Sequence, residues 1–144
     1  MNRQDTKTAK TAKREGVEPR ADLDWLAHKV IGAAISVHRV LGPGLLESVY
    51  EEALCVELGL RRIQFARQVP VGVTYKRRRV GEARLDLLVN QRLVVELKSV
   101  DGIAPIHVAQ LLSYLKITGL NLGLLINFNV PMLRDGIKRL VNTS

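Results

Sequence analysis

The chain is short of several things. One cysteine, Cys55, stands among 144 residues, so the chain cannot close an intrachain disulfide, supply a thiolate zinc cluster or hold an iron–sulfur cluster by itself. Core packing in a reducing compartment is the role left for it. Aromatic residues make up 4% of the chain, which leaves few platforms for stacking single-stranded bases and favours duplex or backbone binding. No run approaches the roughly 18–20 apolar residues of a membrane span, and the polar N-terminal stretch lacks the apolar middle of a signal peptide. The expectation is a cytoplasmic protein with no membrane partner. Acidic residues are outnumbered, 14 against 22 Lys and Arg, and the formal charge of +8 favours polyanionic partners such as nucleic acid.

What is present suffices for one packed domain. The chain is 47% hydrophobic and 25% charged, the proportions of a globular protein, and its length matches a single domain of roughly 100–150 residues. Residues 1–20 carry almost no large apolar side chain and cannot bury enough surface to offset the entropy of ordering. They are read as a flexible basic tail, and residues 21–144 as the folded domain.

Periodicity supplies the elements. From Asp22 or Asp24, a candidate N-cap, Leu26, Val30, Ala33, Ala34, Val37 and Leu41 recur at helical spacing up to Gly42, Pro43 and Gly44. A second helix follows over 45–58, stopped at Gly59. Three β-type runs come next, over 68–75, 83–89 and 93–100. Lys76, Arg77, Arg78 and Arg79 between the first two read as an exposed hairpin end. Pro105 opens a helix to Thr118 with Val108, Leu111, Leu112 and Leu115 as its buried stripe, closed by Gly119. Residues 122–128 form an apolar strand, and Pro131 begins a last amphipathic helix. The order ααβββαβα predicts an α/β or α+β layered fold, a mixed sheet flanked by helices. The helical crossover makes the last strand parallel to its neighbour.

The chemistry concentrates on two strands. In the run 93–99 the period of two sends Glu96 and Lys98 to one face and Leu93, Val95 and Leu97 to the other. Asp86 sits between apolar neighbours on the preceding strand, a costly position for an uncompensated carboxylate. A three-residue loop of Asn90, Gln91 and Arg92 would oppose Asp86 to Glu96, whereas a two-residue loop would part them unless a bulge corrected the register. The three-residue loop is the expectation. Carboxylates opposed at about 5 Å repel each other and make sense as a cradle for a divalent cation.

Asp86 followed by Glu96, Leu97 and Lys98 resembles the signature of the PD-(D/E)XK nuclease superfamily. Gly44, Glu47 and Tyr50 reproduce the pattern of the GxxExxY protein family, a bacterial branch of it. The likeness runs on through 38–44, Gln68 to Pro70, 84–88, Pro105 to His107, Gln110 to Tyr114 and 123–131, and spans about residues 23–142.

The resemblance implies a restriction-endonuclease-like core and a metal-dependent nuclease. In it Asp86, Glu96 and the backbone carbonyl of Leu97 hold Mg²⁺, or Mn²⁺, with Glu47 completing the metal site directly or through water. Lys98 would position the attacking water and stabilise charge on the phosphate. Gln110 and Tyr114 resemble the Gln-x-x-x-Tyr motif of RecB-type nucleases and share one helix face, where they would hold a phosphate, support Lys98, or simply form a polar face. Arg61, Arg62, Lys76, Arg77, Arg78 and Arg79 are candidates for phosphate contact in nucleic acid, with DNA the expected substrate. His38, His28 and Tyr50 read as packed or hydrogen-bonded residues. Two other classes stay open: a catalytically silent nucleic-acid-binding or regulatory module with the same fold, and an interaction subunit whose exposed apolar helix faces make a homodimer.

Overall fold

A computed structural model describes residues 17–143. Of the expected basic tail, residues 1–16 lie outside the described residues, and 17–20 belong to the first helix. That helix, α1 (Val17–Leu41), is followed by α2 (Glu47–Leu60), β1 (Phe65–Tyr75), β2 (Arg78–Val89), β3 (Leu93–Lys98), α3 (Pro105–Thr118), β4 (Leu122–Asn127), a 3-10 turn (Leu133–Gly136) and β5 (Ile137–Val141). The strands form one sheet in the order β1-β2-β3-β4-β5. Only β3 and β4 pair in parallel, the crossover being α3, while the other pairs are antiparallel. The fold is thus a mixed sheet flanked by helices, consistent with a restriction-endonuclease-like core.

The pleat decides which helix covers which face. Leu93, Val95 and Leu97 of β3, with Leu122, Leu124 and Ile126 of β4, pack against Leu26, Val30, Ala34 and Val37 of α1 and Tyr50, Leu54 and Leu58 of α2. Val94 and Leu125, of the opposite parity, pack against Leu111 and Leu115 of α3. Gly123 lets α3 settle onto β4, since a Cβ there would lie 2.9 Å from the Leu111 side chain. Leu112, expected in the buried stripe, is exposed. Gly119 closes α3 in the left-handed conformation, its N–H bonded to the Leu115 carbonyl.

The last element departs from expectation. Leu133, Ile137 and Leu140 have helical spacing, yet the chain makes a single 3-10 turn and then pairs β5 with β4 from Ile126↔Ile137 to Leu122↔Val141. An uncovered β4 would expose a row of unpaired backbone groups, and satisfying them outweighs a short helix. The basic hairpin end is also tighter than expected. Only Lys76 and Arg77 turn, while Arg78 and Arg79 already belong to β2.

Gly136 lies against the Asn127 backbone, where an added Cβ would fall 2.1 Å from the carbonyl oxygen. Gly136→Ala is expected to cost at least about 2 kcal/mol. Gly59→Ala, in the last turn of α2 with nothing within 4 Å of the new methyl, is expected to stabilise by roughly 0.5–1 kcal/mol. Urea unfolding of the two variants checks both signs.

Candidate active site

The β2–β3 ladder runs Val89↔Leu93, Leu88↔Val94, Leu87↔Val95 and then stops. Asn90, Gln91 and Arg92 form the connecting loop, three residues as expected, with Asn90 and Gln91 at positive φ. The next opposed pair is Asp86 and Glu96, and there side chains replace the ladder. The Asp86 N–H donates to Glu96 Oε2 at 2.8 Å, and the Leu97 N–H donates to Asp86 Oδ2 at 2.9 Å. The strand also rotates here, for Leu85 packs on the α3 side and Leu87 on the α1–α2 side. Gln68, opposite Asp86 on β1, has φ 50° and drops out of the β1–β2 register.

This brings the two acids together in a largely buried place. Burial pushes the Glu96 carboxyl up to about 8, and the charge of Asp86 adds to it, against the Asp86 N–H and Lys98. Asp86 is also raised, by burial first and by Glu51 and Glu47, while the Leu97 N–H and Lys98 oppose the shift. Lys98 is half-buried on the face it shares with Glu96, and pairing with β4 fixes its backbone, the Phe128 N–H donating to the Lys98 carbonyl at 2.9 Å.

Glu47 is exposed in the first turn of α2. Its Oε2 accepts from the Ser99 N–H at 3.3 Å, and the Ser99 hydroxyl donates to the Leu45 carbonyl at 2.6 Å. Tyr50, fully buried and stacked on Phe128 at 4.5 Å, donates to the Gly42 carbonyl at 2.6 Å and accepts from the Leu45 N–H. Gly42 and Gly44 supply the positive φ angles that bend this loop. Gly44, Glu47 and Tyr50 therefore dock the start of α2 onto the chain just after Lys98. Glu47 bonds to the backbone at Ser99 through one oxygen and lies near enough to Asp86 for its charge to raise that acid.

Glu51, one turn further along, escaped the sequence reading. Its charge raises both acids. Its Oε1 accepts from Gln68 Nε2 at 2.9 Å and its Oε2 from Arg67 at 2.9 Å, and Arg67 also reaches Glu52. The i,i+4 step from Glu47 to Glu51 on one helix face was the signal available. Asn127, 1% exposed, was also missed: its side chain bonds the N–H and carbonyl of Val100 and continues the β3–β4 pairing beyond Lys98.

Tyr114 stands beside the pair. Its phenol is pushed up by burial first, then by the charges of Glu96 and Asp86. Gln110 is exposed one turn away on α3. His107 Nδ1 accepts from the Ala104 N–H at 3.0 Å and so caps α3, and His38 Nε2 bonds the Val130 carbonyl. Arg61 is tied to Glu57 and Ser36 at the far end of α2, next to Arg62. Lys76, Arg77, Arg78 and Arg79 lie at the hairpin tip, where Arg79 pairs with Glu82.

Among the described residues no group of three or more His, Cys, Asp or Glu converges to hold a metal ion. The side chains that do meet are the carboxylates of Asp86 and Glu96, oxygen donors that suit Mg²⁺ or Mn²⁺, and Mg²⁺ commonly binds through one or two carboxylates and keeps its waters. A Glu96 carboxyl held at about 8 beside a second acid shows a local deficit of positive charge that such a cation fits.

A family model described as the PD-(D/E)XK nuclease superfamily matches residues 24–140. No curated protein and no solved structure matches the chain.

The Glu96 shift has a consequence for stability. From its ordinary value of 4.5 to about 8 in the fold, the native state holds a proton that the unfolded chain releases. This stabilisation is complete below about pH 4.5 and is lost as pH rises through about 8, and Asp86 contributes with the same sign. Glu96→Gln, which stays neutral, is expected to gain on the parent steadily across that window in chelator-treated protein. Urea unfolding from about pH 4 to about pH 9 measures the difference, and a pH-independent difference would refute it.

Proposed function

The chain belongs to the PD-(D/E)XK nuclease superfamily, and from that premise we propose that it is a metal-dependent nuclease hydrolysing phosphodiester bonds in DNA. The observation that carries the reading is the exchange of bonds between Asp86 and Glu96, with Lys98 within electrostatic reach of both. Asp86, Glu96 and the Leu97 carbonyl would hold Mg²⁺ or Mn²⁺. When bound, the ion supplies Lewis-acid polarisation of the phosphate and lowers the pKa of water.

The remaining steps belong to side chains. Lys98 orients the attacking water, whose oxygen forms the new P–O bond in line with the one that breaks, and its ammonium offsets the negative charge that builds on the phosphate. Tyr114, with Gln110 a turn earlier, lines the α3 side of the acids and contacts a phosphate oxygen or Lys98. Glu47 and Glu51 add negative charge behind the pair, which strengthens its hold on a cation. The pattern of Gly44, Glu47 and Tyr50 supports a place in the GxxExxY branch.

One observation favours a second reading, a catalytically silent nucleic-acid-binding module. Both acids spend an oxygen on backbone amides, and among the described residues no third ligand side chain joins them.

Purified protein with Mg²⁺ or Mn²⁺ is expected to nick or degrade DNA and to stop in chelator. Asp86→Ala and Lys98→Ala are each expected to lower the rate by at least about a hundredfold, the scale for losing one charge-stabilising group. Mg²⁺ should also raise the thermal unfolding midpoint of the parent but not of Asp86→Ala. Binding of DNA without cleavage under either metal, with no thermal shift, would replace the nuclease with the module.

A further inference from the structure

β1 and β2 outrun the sheet. β3 pairs with β2 only from Leu87 to Val89, whereas β1 and β2 pair with each other out to Tyr75↔Arg78. Val69, Val71 and Leu85 still pack in the α3 cluster. Beyond them the hairpin carries no buried residue, and Tyr75 and Val80 are exposed. Residues 72–84 contain five Lys or Arg against one acid, Glu82. At the base of this ribbon Gly72 faces Glu82, Gly81 faces Val73, and a register shift falls between Val73 and Thr74. Two glycines and a bulge at one level make a waist.

The turn itself is unusual. Lys76 and Arg77 both have positive φ, 50° and 68°, the conformation of a two-residue hairpin turn for which Asn-Gly is the ordinary choice. Long cations there are strained, and strain kept at an exposed tip is a mark of use. Arg79 is held by Glu82, while Lys76 lies over the Tyr75 ring at 5.5 Å, and among the described residues no ion pair is formed by Lys76, Arg77 or Arg78.

We infer that this ribbon is a nucleic-acid arm: Lys76, Arg77 and Arg78 grip the phosphate backbone of duplex DNA well away from the bond cut at Asp86 and Glu96. The inference rests on the nuclease reading for the position of the cut and on the ribbon alone for the grip. Arg78 is eight residues from Asp86 along β2, roughly 26 Å at about 3.3 Å per residue. Along a duplex rising about 3.4 Å per base pair, that is about eight base pairs from the scissile phosphate. The waist lets the tip adjust to the groove.

The double variant Lys76→Asn with Arg77→Gly removes two charges and installs the residues the turn prefers. Its thermal midpoint should equal or exceed the parent's. With chelator present, its affinity for a duplex of about 24 base pairs should fall at least fivefold, and its log–log salt slope should flatten by about two, one for each lost phosphate contact. Unchanged affinity and salt slope on this duplex would overturn the arm, as would a loss confined to single-stranded DNA. Cleavage by the parent with Mg²⁺ is read separately. Tip-dependent binding without any cleavage sinks the nuclease and leaves the arm, and cleavage with no tip-dependent binding does the reverse.

Discussion

The amides of Asp86 and Leu97 lie between strands that no longer pair, and a buried N–H left without an acceptor costs roughly 1–3 kcal/mol. The Glu96 and Asp86 carboxylates supply the acceptors, each bonding to the other's strand. The exchange closes the wedge between β2 and β3 and at the same time forces two like charges into a largely dry place. Burial raises both acids, with the charge of Asp86 adding to the rise of Glu96 and those of Glu51 and Glu47 adding to the rise of Asp86, so the site is short of positive charge by construction. Lys98 makes good part of that deficit. A bound divalent cation would supply the rest.

The surrounding framework holds the end of β3 against drift. On one side the loop from Gly42 to Leu46 is braced by the buried Tyr50 hydroxyl and tied to Ser99. On the other, the Asn127 side chain imitates a strand and bonds both backbone groups of Val100. The Tyr50 ring stacks on Phe128, linking the two braces across the α1–α2 core. Lys98 is thus presented from a segment anchored on both sides, the condition for holding a charge in a defined place.

Charge is sorted by depth. Asp86 and Glu96 are the deep acids, with Glu51 and the exposed Glu47 nearby, whereas among the described residues most Lys and Arg lie on the surface and at the hairpin tip. Arg67 is the nearest guanidinium to this cluster and is spent on Glu51 and Glu52. A polyanion would be attracted by the basic exterior and repelled by bare carboxylates at the centre. Neutralising the centre is therefore part of any productive encounter with nucleic acid.

Much of this was legible in the residue order. The alternation of Leu93, Val95 and Leu97 against Glu96 and Lys98 and most of the helical stripes of α1 and α3 follow from periods of 2 and 3.6, which depend on near neighbours alone, whereas the opposition of Asp86 to Glu96 hung on the length of the loop that joins their strands. The final strand was not legible, because Leu133, Ile137 and Leu140 fit a helix equally well and only the open edge of β4 decides between them. The partners of Glu51 and Asn127 were not legible for a similar reason: their bonds join residues 16 to 27 positions apart, and although the i,i+4 step from Glu47 marks the helix face of Glu51, no local spacing names what it meets. By itself, then, the sequence determined which side chains of one strand or helix share a face and which loop length would oppose the two acids. Only the tertiary structure decided that those acids replace the backbone ladder and that Glu47 turns to Ser99, since both outcomes depend on which buried polar groups elsewhere in the fold still need a partner.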